Sequence, residues 1–267
     1  MPEGPEVRNL TKLINKEVKG WTINSMKILG GRYKKHGNPK GWELGKKALP
    51  LEIKSVNNRG KTMWFDLGKL IMMAQMGMKG YFTIEKGLKH NNIEFVCDKG
   101  TFFFNDYRNF GNIWFVTEEG LKDYIKAKLG RDPLQEHVSL REFKEELEPY
   151  KKKKKSPRLG DILMDQNFVA GIGNYMRSEI LYEAKLCPSL TVNELTNKQI
   201  SQLHKAILKI FDYSYKCQTK HGRVGLCFNV YRKKEDPKGN EVKEMKMKDR
   251  KVWYVPAIQK CNYTDDI

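Results

Sequence analysis

The chain has 267 residues, a formal charge of +18 and a mean hydropathy of −0.66. No apolar run approaches the roughly 18–20 residues that cross a bilayer, and the start Met1-Pro2-Glu3-Gly4-Pro5-Glu6 lacks the basic, apolar character of a secretory signal. With 5 Trp, 12 Tyr and 12 Phe available for cores, a folded intracellular protein is expected. Cys97, Cys187, Cys217, Cys227 and Cys261 are odd in number, far apart and without a Cys-x-x-Cys pair, so neither a disulfide framework nor a standard zinc site is expected. Divided at residue 150, both parts are basic, and the second more densely. Since each neutralised phosphate releases counterions, a polyanion is the favoured partner, although 39 of the 50 cations are Lys, the less geometrically selective one.

In chain order, Val7, Leu10, Ile14 and Val18 recur at helical spacing and predict a helix over 3–19, with Glu3 and Glu6 in its first turn, where the macrodipole favours acids. Short strands follow at 22–28, 52–56, 62–66, 70–74, 80–84, 93–97, 101–105 and 112–117, separated by Gly, Asn and Pro. That spacing predicts a β-sandwich or barrel. Residues 129–134 read as a turn and 140–148 as a helix. Lys151–Lys155 then reads as a solvated linker, since like charges repel, or as a hinge over DNA phosphates. Helices are expected over 158–167, 175–184 and 197–216. The tail reverts to β: runs 226–231 and 252–255 flank a polar turn at 236–240, too small to stand without a staple.

One motif carries chemistry by itself. Phe168-Val169-Ala170-Gly171-Ile172-Gly173-Asn174 joins two helical segments, and its glycines permit a sharp turn and close approach to a ligand. Asn174 reads as the N-cap of the next helix, whose free N–H groups suit an anion. The element reads as a helix–turn–helix gripping a phosphate.

The stretch Ile162-Leu163-Met164-Asp165-Gln166, Gly171-Ile172-Gly173-Asn174-Tyr175 and Glu179-Ile180-Leu181-Tyr182 closely resembles the helix–two-turn–helix signature of the formamidopyrimidine-DNA glycosylase and endonuclease VIII family. Pro2-Glu3-Gly4-Pro5-Glu6, Arg59-Gly60-Lys61, Gly77-Met78-Lys79-Gly80, Arg108-Asn109-Phe110-Gly111 and Leu129-Gly130-x-x-Pro133-Leu134 match further family segments, in order along essentially the whole chain. The resemblance implies an α+β fold: an N-terminal helix plus two-layer β-sandwich (1–130), a linker with a first helix (131–157), a helical helix–two-turn–helix domain (158–223) and a zincless β-hairpin finger (224–267). It also implies a monomer, with double-stranded damaged DNA as partner, no cofactor and no membrane. The location expected is wherever the DNA is: nucleus, nucleoid or viral replication compartment.

The family's residue roles map onto this sequence one by one. Removal of Met1, expected because Pro is small, leaves Pro2 as a secondary amine with a reference pKa of about 8. Its attack on C1′ of a damaged nucleotide gives a cationic iminium, an electron sink for base release and for β-elimination. Glu3 matches the acid/base, Lys61 the catalytic lysine, and Glu6 a position near the damaged base. A base must leave the stack to be attacked, and Met78, Arg108 and Phe110 match the plug, orphan-base donor and wedge that fill the void. His90 and Asn174 match phosphate contacts, and Arg250 matches the finger arginine that reaches phosphates near the lesion. Lys79 and Asn109 depart from the usual small and basic residues there. Many family members hold zinc on four finger cysteines; the corresponding positions are Lys238, Glu241, Val255 and Ile258, so no metal is expected, and packing by Trp253 and Tyr254 is expected to hold the finger. The short segment 217–226 before the finger favours oxidised pyrimidines over 8-oxoguanine, which other members cap with a long loop. Together these imply a bifunctional DNA glycosylase and abasic-site lyase working by β,δ-elimination. The alternatives are a non-catalytic damaged-DNA binder on the same scaffold and, leaving the Pro-Glu start unexplained, an RNA-binding protein.

Overall fold

The computed structural model describes residues 2–248 and 250–261. Met1, whose removal the sequence leads us to expect, and the last six residues of the expected finger lie outside them. The chain divides into two compact units, Met1–Leu129 and Gly130–Ile267.

The first unit begins with α1 (Gly4–Val18), which buries Val7, Ile14 and Val18 along one face. Two antiparallel sheets form the layers of a sandwich. One has the order β2 (Leu51–Glu52), β1 (Thr22–Ile28), β7 (Asn91–Cys97), β8 (Thr101–Asn105), β6 (Tyr81–Thr83); the other runs β3 (Ser55–Arg59), β4 (Thr62–Asp66), β5 (Ile71–Gln75), β9 (Asn112–Val116). The expected single strand over 52–56 is two, because the chain changes layers there. Ile53 exchanges backbone hydrogen bonds at 2.8 Å with Gly20 and Trp21, whereas Lys54 N donates to Asp66 O, also at 2.8 Å. Phenylalanines fill the core: Phe102 stacks on Phe95 at 4.6 Å and on Phe65 at 5.7 Å.

Three helices escaped the periodicity. The six-residue α2 (Gly31–His36) and α3 (Trp42–Lys47) are too short and Gly-rich to show an apolar stripe. The third, α4 (Glu118–Lys128), is capped by Thr117 and covers the outer face of β5 with Leu121, which is why Ile71 and Met73 are buried as well as Met72 and Ala74.

In the second unit α5 (Leu140–Lys151), α6 (Leu159–Ile162), α7 (Asn174–Ala184) and α8 (Asn197–His221) share one core. The segment expected as a linker belongs to it: Val138, Phe143 and Leu147 are buried, and Arg131 meets Glu142 at 2.9 Å and Glu146 at 2.6 Å to tie the preceding turn to α5. The lysine run starts on the last residue of α5 and continues as an irregular, exposed segment.

The finger is a hairpin of β10 (Lys243–Met247) and β11 (Arg250–Tyr254), in register from Lys243 opposite Tyr254 to Met247 opposite Arg250. The strand expected over 226–231 does not form. Its backbone donors go instead to the buried Glu179 of α7, whose carboxylate accepts from the N–H groups of Asn229, Val230 and Tyr231 at 2.8–3.0 Å. The polar turn at 236–240 is where expected, organised by Asp236: it accepts from Lys238 N, Asn240 N and Asn240 Nδ2 at 2.8–3.0 Å, and from Tyr182 Oη at 3.0 Å.

The cysteine reading is corrected. Disulfides join Cys187 to Cys261 and Cys217 to Cys227, leaving Cys97 buried as a free thiol. Folding brings the members of the first pair together across 74 residues, and spacing alone carries no sign of that. The staple expected from Trp253 and Tyr254 is therefore only part of the answer. Both are buried, and Trp253 packs edge-on against Tyr231 at 4.6 Å. Beside them, Gln259, fully buried, donates to Leu186 O at 2.9 Å while accepting from Val255 N at 2.8 Å.

Candidate active site and nucleic-acid interface

In the first unit Pro2 is partly buried and directly precedes Glu3, the residue before α1. Glu3, only 3% exposed, is the helix N-cap, and its backbone N–H donates to Glu6 Oε2 at 3.2 Å. Glu3 and Glu6 thereby define the helix start that presents the amino terminus. Lys61 sits in the two-residue turn of the β3–β4 hairpin, closed by the Arg59–Thr62 pair. Gly60 has φ +54°, the left-handed conformation that the first position of such a turn favours in glycine. Asn58, buried, donates to Gly60 O at 3.2 Å and accepts from Arg8 Nη1 at 3.3 Å. The helix that follows Pro2 and Glu3 and the turn bearing Lys61 are thus joined through two hydrogen bonds. Reading the sequence missed Arg8 and Asn58, which carry no chemistry of their own.

Met78, Arg108 and Phe110, the wedge candidates, meet on two touching turns. Gly77, with φ +56°, lies so close to the backbone of Phe110 and Gly111 that a Cβ there would fall 2.4 Å from Phe110 C. Met78 and Phe110 are 36% and 57% exposed, large apolar groups left in solvent, and the Arg108 guanidinium lies 5.4 Å from the centre of the Phe110 ring. The loop is organised by buried Asp106, which accepts from Arg108 N at 3.1 Å and Gly111 N at 2.6 Å. Asn109 holds φ +56° and accepts from Arg32 N and Asn92 Nδ2, each at 3.2 Å, so its departure from the usual basic residue has a structural use. His90 packs edge-on against Tyr107 at 4.9 Å; Tyr107, 64% exposed, is an aromatic neighbour that sequence reading missed.

In the second unit Asn174 is the first residue of α7 rather than its cap, which is Gly173. Its side chain accepts from Arg177 Nη2 at 2.5 Å. Arg177, 2% exposed, also donates to Gly160 O at 2.8 Å and Lys251 O at 3.0 Å. One buried guanidinium therefore fixes the phosphate-clamp candidate, α6 and the strand that begins with Arg250. The two-turn itself is held by Gln166, which accepts from Gly171 N at 3.0 Å and donates to Ile172 O at 2.9 Å. Arg250 is exposed and lines a cavity of about 330 Å³ with Tyr150, Lys153, Arg177 and Lys248.

Residues 1–113, 129–223 and 225–260 match in turn the N-terminal, H2TH and C-terminal domains of formamidopyrimidine-DNA glycosylase. The formamidopyrimidine-DNA glycosylase of Streptococcus agalactiae is 33% identical over 221 residues, 79% of this chain and 76% of the relative. That of Listeria monocytogenes is 30% identical over 281 aligned positions, 97% of this chain and all of the relative. This chain belongs to the formamidopyrimidine-DNA glycosylase family. Among solved structures, the Lactococcus lactis formamidopyrimidine-DNA glycosylase non-covalently bound to DNA containing an abasic site superimposes with a TM-score of 0.84 at 25% identity, covering 97% of this chain and all of that one.

The finger matches the family's C-terminal domain over residues 225–260. Lys238, Glu241, Val255 and Ile258 do not make a zinc site: one cation, one carboxylate and two aliphatics offer no tetrahedral set of soft donors. Four of the five cysteines are committed to disulfides, and among the described residues no group of three or more His, Cys, Asp or Glu is placed to hold a metal ion. Instead each turn of the finger is fastened to α7 or the residues just after it, one through Asp236 and Tyr182, the other through Gln259 and the Cys187–Cys261 bond.

Proposed function

We propose that this chain is a bifunctional DNA glycosylase and abasic-site lyase of base excision repair, acting on oxidised bases in duplex DNA, with oxidised pyrimidines ahead of ring-opened purines. The observation that carries the reading is the helix start: Pro2 directly ahead of Glu3, which is buried at the cap of α1. Once Met1 is removed, the Pro2 nitrogen attacks C1′. Glu3 passes a proton to the sugar oxygen and, with Lys61, assists departure of the base. The resulting iminium withdraws electrons so that the 3′ phosphate and then the 5′ phosphate are expelled. Met78, Arg108 and Phe110 hold the opened stack; Asn174, Arg250 and His90 hold phosphates; Glu6 stands near the extruded base.

Lesion preference is supported by the short segment after α8, which contains a 3-10 turn at Val224–Cys227 closed onto the helix by the Cys217–Cys227 bond. A segment so tethered does not swing over a purine. The finger acts in this proposal without zinc, fastened as described.

Borohydride trapping tests the mechanism. Protein whose intact mass shows an amino-terminal proline is expected to form a covalent complex with duplexes carrying an abasic site or an oxidised pyrimidine, and product ends should show β,δ-elimination. Tight binding of the same duplexes without any trapped complex would instead indicate the non-catalytic binder.

A further inference from the structure

The loop bearing Arg108 and Phe110 faces a cavity of about 630 Å³ whose other walls come from α2 and the residue that starts it: Gly31, Arg32, Lys35 and His36, with Asn109 at the back. Its side chains comprise two cations, Arg32 and Lys35, and the His36 imidazole from one short helix, a third cation in Arg108 and an exposed aromatic ring. No carboxylate lines it. The nearest acid of the loop, Asp106, is 1% exposed and turned to backbone donors. Lys35 and His36 are exposed and have no hydrogen-bond or ion-pair partner among the described residues.

The wall is built rather than incidental. Arg32 N donates to Asn109 Oδ1, and Arg32 Nη1 donates to Gly111 O at 3.3 Å, so α2 is bolted to the wedge loop at both ends of Phe110. Gly31, with φ +68°, brings α2 so close that a Cβ there would lie 2.5 Å from Asn92 and 2.6 Å from Asn109 Oδ1. Cations on a backbone held in place, around an open, acid-free cavity, fit a phosphodiester, which they can neutralise with release of counterions.

We propose that α2 is a second phosphate grip: Lys35 and His36, held in place through Arg32 and Asn109, bind a phosphodiester of the undamaged strand next to the orphaned base. The strand follows from Arg108 and Phe110. These share the cavity, and in the function proposed above they occupy the void beside that base, so an anion in the same cavity belongs to the orphaned nucleotide or its immediate neighbour. The proposal rests on that DNA reading and adds residues that the reading does not use.

The test is binding of a duplex with one tetrahydrofuran abasic analogue, measured by anisotropy across salt concentrations. Compared are the wild type, the double variant K35Q/H36Q, and a control K46Q/K47Q, which removes lysines from the exposed end of α3. Losing one phosphate contact should reduce the slope of log K against log salt by about 0.9 in K35Q/H36Q but not in the control. Replacing phosphates of the undamaged strand one at a time by methylphosphonate should reveal a position beside the orphaned base that weakens the wild type and leaves K35Q/H36Q unaffected. K35R/H36R should restore the wild-type slope. Equal slopes in the two double variants, or a sensitive position only on the damaged strand, would overturn the proposal. If the wild type does not prefer the abasic duplex at all, the DNA-repair reading fails first, a result distinguishable from either.

Discussion

Two carboxylates show how position sets a residue's task. Glu3 is buried at the cap of α1, beside the proline proposed as nucleophile. Exchanging it for the isosteric Gln removes the transferable proton with little change in shape. Glu3→Gln is expected to slow base excision by about 10²–10⁴-fold, the usual worth of general acid–base assistance, while binding of a duplex carrying an abasic analogue is retained; single-turnover cleavage and anisotropy measure the two. Asp236 does structural work. Burial pushes its carboxyl up, but hydrogen bonds from the Asn240 side chain, the backbone of Asn240 and Lys238, and the Tyr182 hydroxyl outweigh that and bring it down to about 2. A carboxyl whose folded pKa lies below its unfolded value stabilises the fold above the unfolded pKa, and that stability is lost as the pH falls through the folded one. The Asp236 contribution should therefore be complete above about pH 4 and fade toward pH 2. In acid titrations followed by melting temperature, Asp236→Asn should be less stable than wild type at neutral pH, and the gap should close in that window.

At the scale of elements, α7 is the organiser of the second unit. Its Arg177 ties Asn174 to α6 and to the strand starting at Arg250, its Glu179 takes the amides before the finger, and its Tyr182 holds the finger's first turn. Just beyond its end, Cys187 is bonded to Cys261. A metal would join the two finger turns to each other; here each is joined to the α7 region. The Cys187–Cys261 bond closes a long loop, for which the stabilisation expected from chain entropy is roughly 4 kcal/mol. Cys261→Ser is expected to lower the melting temperature clearly, and a chelator such as EDTA to leave it unchanged. A chelator-sensitive melt would sink the metal-free account of the finger.

At the scale of the molecule, the two units have separate cores, one of strands and phenylalanines, the other of helices. Trp253 is the second unit's tryptophan, whereas Trp21, Trp42, Trp64 and Trp114 belong to the first. Chains with two cores depart readily from two-state unfolding. Calorimetry should resolve two transitions, and Cys261→Ser should move the one that Trp253 reports while leaving the other in place. A single transition moved as a whole would show that the cores unfold together.

Much was legible in the sequence because it depends on local order. Helix α1 and β1, β4, β8, α7 and the turn at 236–240 follow from periodicity and turn chemistry over a few residues, and the family segments around Pro2, Lys61, Arg108 and Asn174 are short and contiguous. What escaped depends on partners distant in the chain. Helices α2 and α3 are too short for a period to show, and α4 is explained by the sheet it covers. Residues 226–231 have the composition of a strand, yet a carboxylate some 50 positions earlier captures their amides. The pairing of Cys187 with Cys261, the buried fork of Arg177 and the bolting of Arg32 to Asn109 likewise exist only once the chain has folded. Amino-acid order settles local conformation and the inventory of reactive groups; which groups share a cavity, a hydrogen bond or a disulfide is decided by packing, because those energies depend on distance in space and not along the chain.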